Sequence, residues 1–177
     1  DIKQRKPVVR VFNKNGESFY IDEEGWLMPL SVKFTSRVLV ANGNIDETFS
    51  GRYKYNVVNE GIEVNGGTVT EMGGAGSVSE ISMLRDIFLI TKFIDQSEFW
   101  KAQIIQLYVN ADHEIELIPR VGNHTILFGN ISDMEGKFEK LMVFYNKGLK
   151  KIGWNSYSQI NLKFKNQVVC KKNQEKN

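Results

Sequence analysis

The sequence predicts an α+β domain, a largely antiparallel β-sheet with two main helices packed on it. The order of elements points there, and composition and cysteine count bound the alternatives. The apolar pattern runs strands, helix, three strands, helix, two strands, without the regular β-α-β alternation of a parallel sheet. Of 177 residues, 41% are apolar, enough for one sizeable core and too many for a disordered chain. A single cysteine, Cys170, excludes an internal disulfide framework and a cysteine-based zinc site.

Ile2 to Arg5 and Val8 to Phe12 are β-type runs separated by Pro7, which cannot donate to a ladder and marks a strand start or edge. Asn15-Gly16 offers two positive-φ residues for a tight hairpin turn into the return strand Ser18 to Ile21. Asp22 to Gly25 is a further turn, and Trp26 to Met28 opens a strand that Pro29 ends. Between Ser31 and Val64 the pattern gives a strand at Val38 to Val40 and a turn at Asn42-Gly43. The glycine-rich stretch Gly66 to Gly76 leads into a helix. Val78, Ile81, Leu84, Phe88, Phe93 and Ile94 fall near helical spacing, with Ser77 and Glu80 placed as a capping box.

The period then changes. Ala102 to Val109, Glu114 to Ile118 and His124 to Phe128 are β-rich runs with polar breaks between them, so a three-strand antiparallel meander is the simplest arrangement. A second helix is expected from about Asp133 to Lys147, with Met134, Phe138, Leu141, Met142 and Tyr145 as its apolar stripe, Ser132 as N-cap and Gly148 as stop. Two final strands, Gln159 to Phe164 and Gln167 to Cys170, flank the turn Lys165-Asn166. Alternation puts Ile160, Leu162 and Phe164 toward the core, and Asn161, Lys163 and Lys165 outward.

Charge is distributed unevenly. Residues 1 to 135 carry 13 Lys+Arg against 19 Asp+Glu, a net −6, whereas residues 136 to 177 carry 10 against 2, a net +8. A basic quarter suits an acidic partner, nucleic acid or anionic lipid as well as a solvated face. Trp154, Tyr157 and Phe164 are interleaved with its lysines, but an RNA-reading sheet would expose its aromatics, and the Phe164 face is expected to be buried.

Residues for catalysis do not converge in the pattern. His113 and His124 lack metal-ligand spacing, and Glu114 and Glu116 read as the solvent face of a strand whose Ile115 and Leu117 point inward. No serine stands in a nucleophile-elbow setting. Gly73-Gly74-Ala75-Gly76-Ser77 lacks the lysine of a phosphate-binding loop, and Cys170 has no histidine partner in its strand. No cofactor is expected. The apolar run Ile87 to Ile90 falls far short of the ~18 residues that a membrane span needs, and a start at Asp1 without a signal peptide is read as truncation from a longer chain.

Several motifs occur in the order seen in a known family. Gln4 to Val11, Tyr20 to Gly25 and Met28-Pro29-Leu30 resemble the junction between the POTRA domain and the β domain of the FtsQ/DivIB family of bacterial cell-division proteins. Glu116 to Gly122 with Ile126 to Gly129 resembles that family's central meander, and Lys137 to Tyr145 its following helix. Gly153-Trp154-Asn155 with Ile160 to Cys170 resembles its terminal hairpin, in the form of Bacteroidetes-type members. The glycine-rich Asn65 to Gly76 matches no family motif.

The resemblance implies residues 1–6 as the last strand of a truncated POTRA domain, 7–172 as the FtsQ-like β domain and 173–177 as a disordered basic tail. It implies a non-catalytic divisome scaffold, anchored in the inner membrane by one N-terminal helix, with this domain in the periplasm. Its partners would be the small bitopic proteins FtsB and FtsL, with FtsB adding a strand at the C-terminal edge, and nucleic acid would not be one of them. The matching positions are Ile160, Asn161, Leu162, Lys163, Phe164, Lys165, Gln167, Val168, Val169, Cys170, Lys171 and Lys172. The residues support an edge there independently: a last strand with no successor offers unpaired N–H and C=O groups, and its lysines deter self-pairing while attracting an acidic partner. Two other readings are a POTRA-type scaffold for outer-membrane or secretion assembly and a basic nucleic-acid-binding domain.

Overall fold

The structure is a computed structural model that describes residues 5–31, 35–49, 54–58, 61–64, 67–69 and 83–173. The strands are β1 (Pro7–Phe12), β2 (Ser18–Asp22), β3 (Leu27–Met28), β4 (Leu39–Gly43), β5 (Lys54–Asn56), β6 (Gly61–Val64), β7 (Gly67–Val69), β8 (Ile104–Val109), β9 (Ile115–Pro119), β10 (Thr125–Gly129), β11 (Tyr157–Asn161) and β12 (Val169–Lys172). Three helices are α1 (Met83–Asp95), α2 (Glu98–Gln103) and α3 (Met134–Phe144).

Nine strands form one sheet in the order β12-β11-β10-β9-β8-β4-β1-β2-β3, and β5, β6 and β7 form a second small sheet. The large sheet is mostly antiparallel, with parallel junctions at β1/β4, β4/β8 and β10/β11. The expected meander is present as β8-β9-β10. Period-2 alternation places Val9, Val11, Ala41, Leu107, Val109, Ile115, Leu117, Ile126, Phe128 and Ile160 on the buried face.

All three helices lie on that face. Phe138 of α3 stacks on Phe93 of α1 with ring centroids 4.6 Å apart, and lies 5.0 Å from Trp100 of α2 and 5.2 Å from Phe128 of β10. One ring thus joins three helices to the sheet, in the offset and tilted geometries aromatic quadrupoles favour. The opposite face carries polar pairs such as Gln106 Nε2 donating to Asn42 Oδ1 over 2.8 Å.

Several local expectations are corrected. In the first hairpin only Gly16 has positive φ (82°), and Asn15 does not. Asn13 accounts for the turn: its backbone carbonyl accepts from Gly16 N–H, and its buried side-chain Oδ1 accepts from the N–H groups of Asn15 and Glu17. Asn42-Gly43 is not a turn but the end of β4, paired with Tyr108 and Val109. Gly43 has φ 106°, and a Cβ there would run into the Val109 backbone, so glycine is required by both dihedral and approach.

Ala102 and Gln103 end α2 instead of starting a strand. Ser97 Oγ accepts from Trp100 N–H as the helix N-cap. The N-cap position of the second main helix is Asp133, in a left-handed conformation and without a side-chain cap hydrogen bond, and not Ser132. Gly148 does not stop it. The chain continues from α3 through a π-helical turn, Tyr145–Leu149, and a last turn, Lys150–Ile152, because Tyr145 and Leu149 are fully buried and hold the wide turn against the core. Gly153, at φ 105°, ends it.

Strand β3 spans only Leu27–Met28, and Trp26 bridges to Asn56 of the small sheet. The small sheet was not expected from the sequence. Of the expected strand Ile2 to Arg5 only Arg5 is described, and it lies before β1 and in no strand; Ile2 to Gln4, the Ser77/Glu80 capping box, Val78, Ile81, most of the glycine-rich stretch and residues 174–177 lie outside the described residues.

Candidate functional site

The two ends of the large sheet differ. At one end β3 is two residues long and followed by Pro29, which blunts an edge. At the other, β12 has four residues, and its side away from β11 has no strand neighbour among the described residues. Asn173 N–H donates to the Ser156 carbonyl across the hairpin. Strand alternation then turns the N–H groups of Lys172 and Cys170 the other way, to the free side.

The final hairpin is shifted from its expected bounds. β11 starts at Tyr157 and ends at Asn161, and β12 starts at Val169 and ends at Lys172. Asn161 Oδ1 accepts from Lys163 N–H over 2.9 Å, which turns the chain out of strand geometry just past β11. Ile160 and Leu162 are fully buried as expected, but Phe164 is 45% exposed where the alternation predicted burial. Asn166 takes a left-handed φ of 61° in the connecting turn.

The twelve candidate residues therefore divide by role. Ile160 and Leu162 belong to the core and hold the hairpin in place. Cys170 pairs opposite Ile160, is half-buried, and has its thiol pKa pushed up by burial, so it packs as a small apolar residue. Phe164, Lys165, Gln167, Val169, Lys171 and Lys172 are exposed, while Asn161 and Val168 are intermediate. Lys163, exposed at the backbone turn, donates from Nζ to Glu114 Oε2 over 2.8 Å, so its charge is already met within the domain.

Sequence reasoning placed the second main helix but missed the groove that it forms beside this hairpin. A groove of about 600 Å³ lies between α3 with its π-helical extension and the chain entering β12, lined among others by Gly136, Lys140, Val143, Phe144, Gly148 and Val168. Val143 is 53% exposed, an apolar side chain on the polar side of the helical stripe, and that misplacement was the available signal. Lys140 Nζ donates to the carbonyls of Leu162 and Phe164, joining groove and hairpin.

Other candidates do not assemble. Among the described residues no three His, Cys, Asp or Glu side chains come together for a metal ion. Glu116 accepts from Asn110 Nδ2, and His113 lies 3.8 Å from Asp46 in a turn. His124 is buried with Nε2 3.1 Å from Tyr145 Oη; burial lowers its pKa and pushes that of Tyr145 up. Of the three aromatics singled out for nucleic-acid stacking, Trp154 packs on Tyr145 and Tyr157 on Phe144, leaving Phe164 exposed, which is no platform for successive bases. No helix among the described residues is long and apolar enough to cross a membrane.

A family model described as FtsQ/DivIB, C-terminal related, matches residues 6–171. The chain belongs to the FtsQ/DivIB C-terminal related family. FtsQ/DivIB proteins are membrane-anchored, non-catalytic scaffolds of cell division with protein partners in the division machinery. The match begins one residue before β1 and ends inside β12, so the large sheet from its short edge to its free edge is the FtsQ/DivIB-related unit. No curated protein matches the chain at a significant level.

Proposed function

We propose that this domain is the extracytoplasmic β domain of a division scaffold that captures small bitopic proteins of the FtsB and FtsL type by strand addition at β12. The reading places it in the periplasm, tethered to the inner membrane by a helix upstream, with residues 1–6 as the end of a POTRA domain. The observation that carries it is the free side of β12, with outward N–H groups at Cys170 and Lys172 and no proline in the strand. Main-chain hydrogen bonds would supply the pairing. Val169, Phe164 and Val143 offer apolar contacts alongside it. Lys165, Lys171 and Lys172 carry charges that speed encounter with an acidic segment and repel a second copy of the same edge. No catalytic step is part of this reading.

The test is co-elution and calorimetric titration of the domain with the purified extracytoplasmic segments of the FtsB-like and FtsL-like proteins from the same genome. A one-to-one complex with the FtsB-like segment is expected, with amide exchange slowed in residues 169–172. No complex, or protection confined to another edge, contradicts the proposal.

A further inference from the structure

A second site lies four strands from that edge. Strands β1, β4 and β8 run parallel, so their starts share one end of the sheet, and β9 runs back to deliver Arg120 to the same end. There, under the last turns of α1, opens a cleft of about 470 Å³. This falls within the roughly 300–1,000 Å³ of small-molecule sites. Val8, Leu39, Ile94 and Ile104 make an apolar floor.

The rim is cationic although residues 1 to 135 are acidic overall. Lys6, Arg37, Lys101 and Arg120 line it against one carboxylate, Asp95, and Lys101 Nζ is already paired with Asp95 at 2.6 Å. Lys6, Arg37 and Arg120 have no carboxylate partner among the described residues. Arg120 Nε donates to the Ala102 carbonyl over 2.9 Å, which orients the guanidinium and leaves its terminal nitrogens for an acid group. Thr91 also lines the cleft. Its hydroxyl is buried without a hydrogen-bond partner, which is unusual for a buried polar group, and threonine on a helix has a second χ1 rotamer that could present it to a ligand.

We infer that this cleft binds an amphiphilic anion, its acidic headgroup among Arg37, Arg120 and Lys6 and its aliphatic chain along the floor. A small inorganic anion would leave the floor to water, and a neutral apolar molecule would leave the guanidinium groups unmatched. The headgroup can be that of a free amphiphile or of a lipid in a bilayer.

Decanoate below its micelle concentration is the free probe, with acetate and decyl maltoside as headgroup-only and chain-only controls and phosphatidylglycerol vesicles as the bilayer probe. The expected result is saturable one-to-one decanoate binding by NMR, with shifts at the Leu39, Ile94 and Ile104 methyls and both controls at least about tenfold weaker. Lys6→Glu with Arg37→Glu, both exposed and without partners, should lower affinity by about tenfold or more with the fold unchanged by circular dichroism. Vesicle binding lost in the same variant assigns the headgroup to lipid, and decanoate binding without vesicle binding assigns it to a free amphiphile. Equal binding of decyl maltoside, unchanged affinity in the double variant, or binding to neither probe overturns the inference.

Discussion

Lys140 Nζ stands 2.8 Å from the carbonyl oxygen of Phe164 and 3.1 Å from that of Leu162, so one ammonium on α3 ties the helix to the chain leading into β12. Charge-assisted hydrogen bonds of this kind contribute more than neutral ones. Lys140→Met keeps the aliphatic stem and removes both bonds. It should cost about 1–2 kcal/mol in urea unfolding and speed amide exchange in residues 165–172. Unchanged exchange there would show that the hairpin is held without Lys140.

The charge on the edge can be separated from its fold. Lys163 is bonded to Glu114, so reversing it would set two carboxylates together and disturb the hairpin. Lys165→Glu, Lys171→Glu and Lys172→Glu change only exposed groups. The triple variant should bind the FtsB-like segment about fivefold to tenfold more weakly at low salt, and its affinity should vary less with ionic strength than the wild type's. A wild-type affinity that is already independent of salt would remove electrostatics from recognition.

Gly43 is the close approach between β4 and β8. Gly43→Ala must adopt an unfavourable positive φ and push the Val109 backbone away, at a cost of about 2–4 kcal/mol measured by thermal or denaturant unfolding. At the other side of the core, Phe138→Ala removes the ring shared by α1, α2, α3 and β10 and should cost about 3–5 kcal/mol.

His124 gives the domain a pH response. Burial lowers its pKa, partly opposed by the backbone of Trp154, so below the unfolded value of about 6.5 the unfolded chain holds more protons than the folded one. Stability should therefore rise with pH up to about 6.5, by no more than about 1.4 kcal/mol per pH unit from this group, and be lost as pH falls toward the folded value. Melting temperatures from pH 5 to 7 should flatten in His124→Gln; an unchanged profile would assign the response to other groups.

The meander and the inner faces of the strands were legible because period-2 alternation between polar breaks has few other solutions. The helix α2 was not, since six residues are too few to establish a 3.6-residue period, and its signal was Ser97 as a cap. Gly148 misled for a tertiary reason: burial of Leu149 carries the helix past a residue that locally favours stopping. Phe164 misled because alternation holds only inside a strand, and the Asn161 side chain ends β11 three residues earlier. The edge position of β12 was legible because its strand pattern follows its hairpin partner and pairs with no other described strand. The groove was not, because Lys140 and Val143 meet the hairpin only through a packed helix distant in sequence.

The central claim is main-chain pairing at β12, and proline tests it directly. Lys172→Pro and Cys170→Pro each delete an N–H on the free side of the strand and no bond to β11, and Lys172→Gln controls for lost charge. Titration of these folded variants with the FtsB-like segment is the measurement. The account predicts that each proline weakens binding by about tenfold or more while Lys172→Gln changes it by less than about threefold. Wild-type affinity in both proline variants would contradict it.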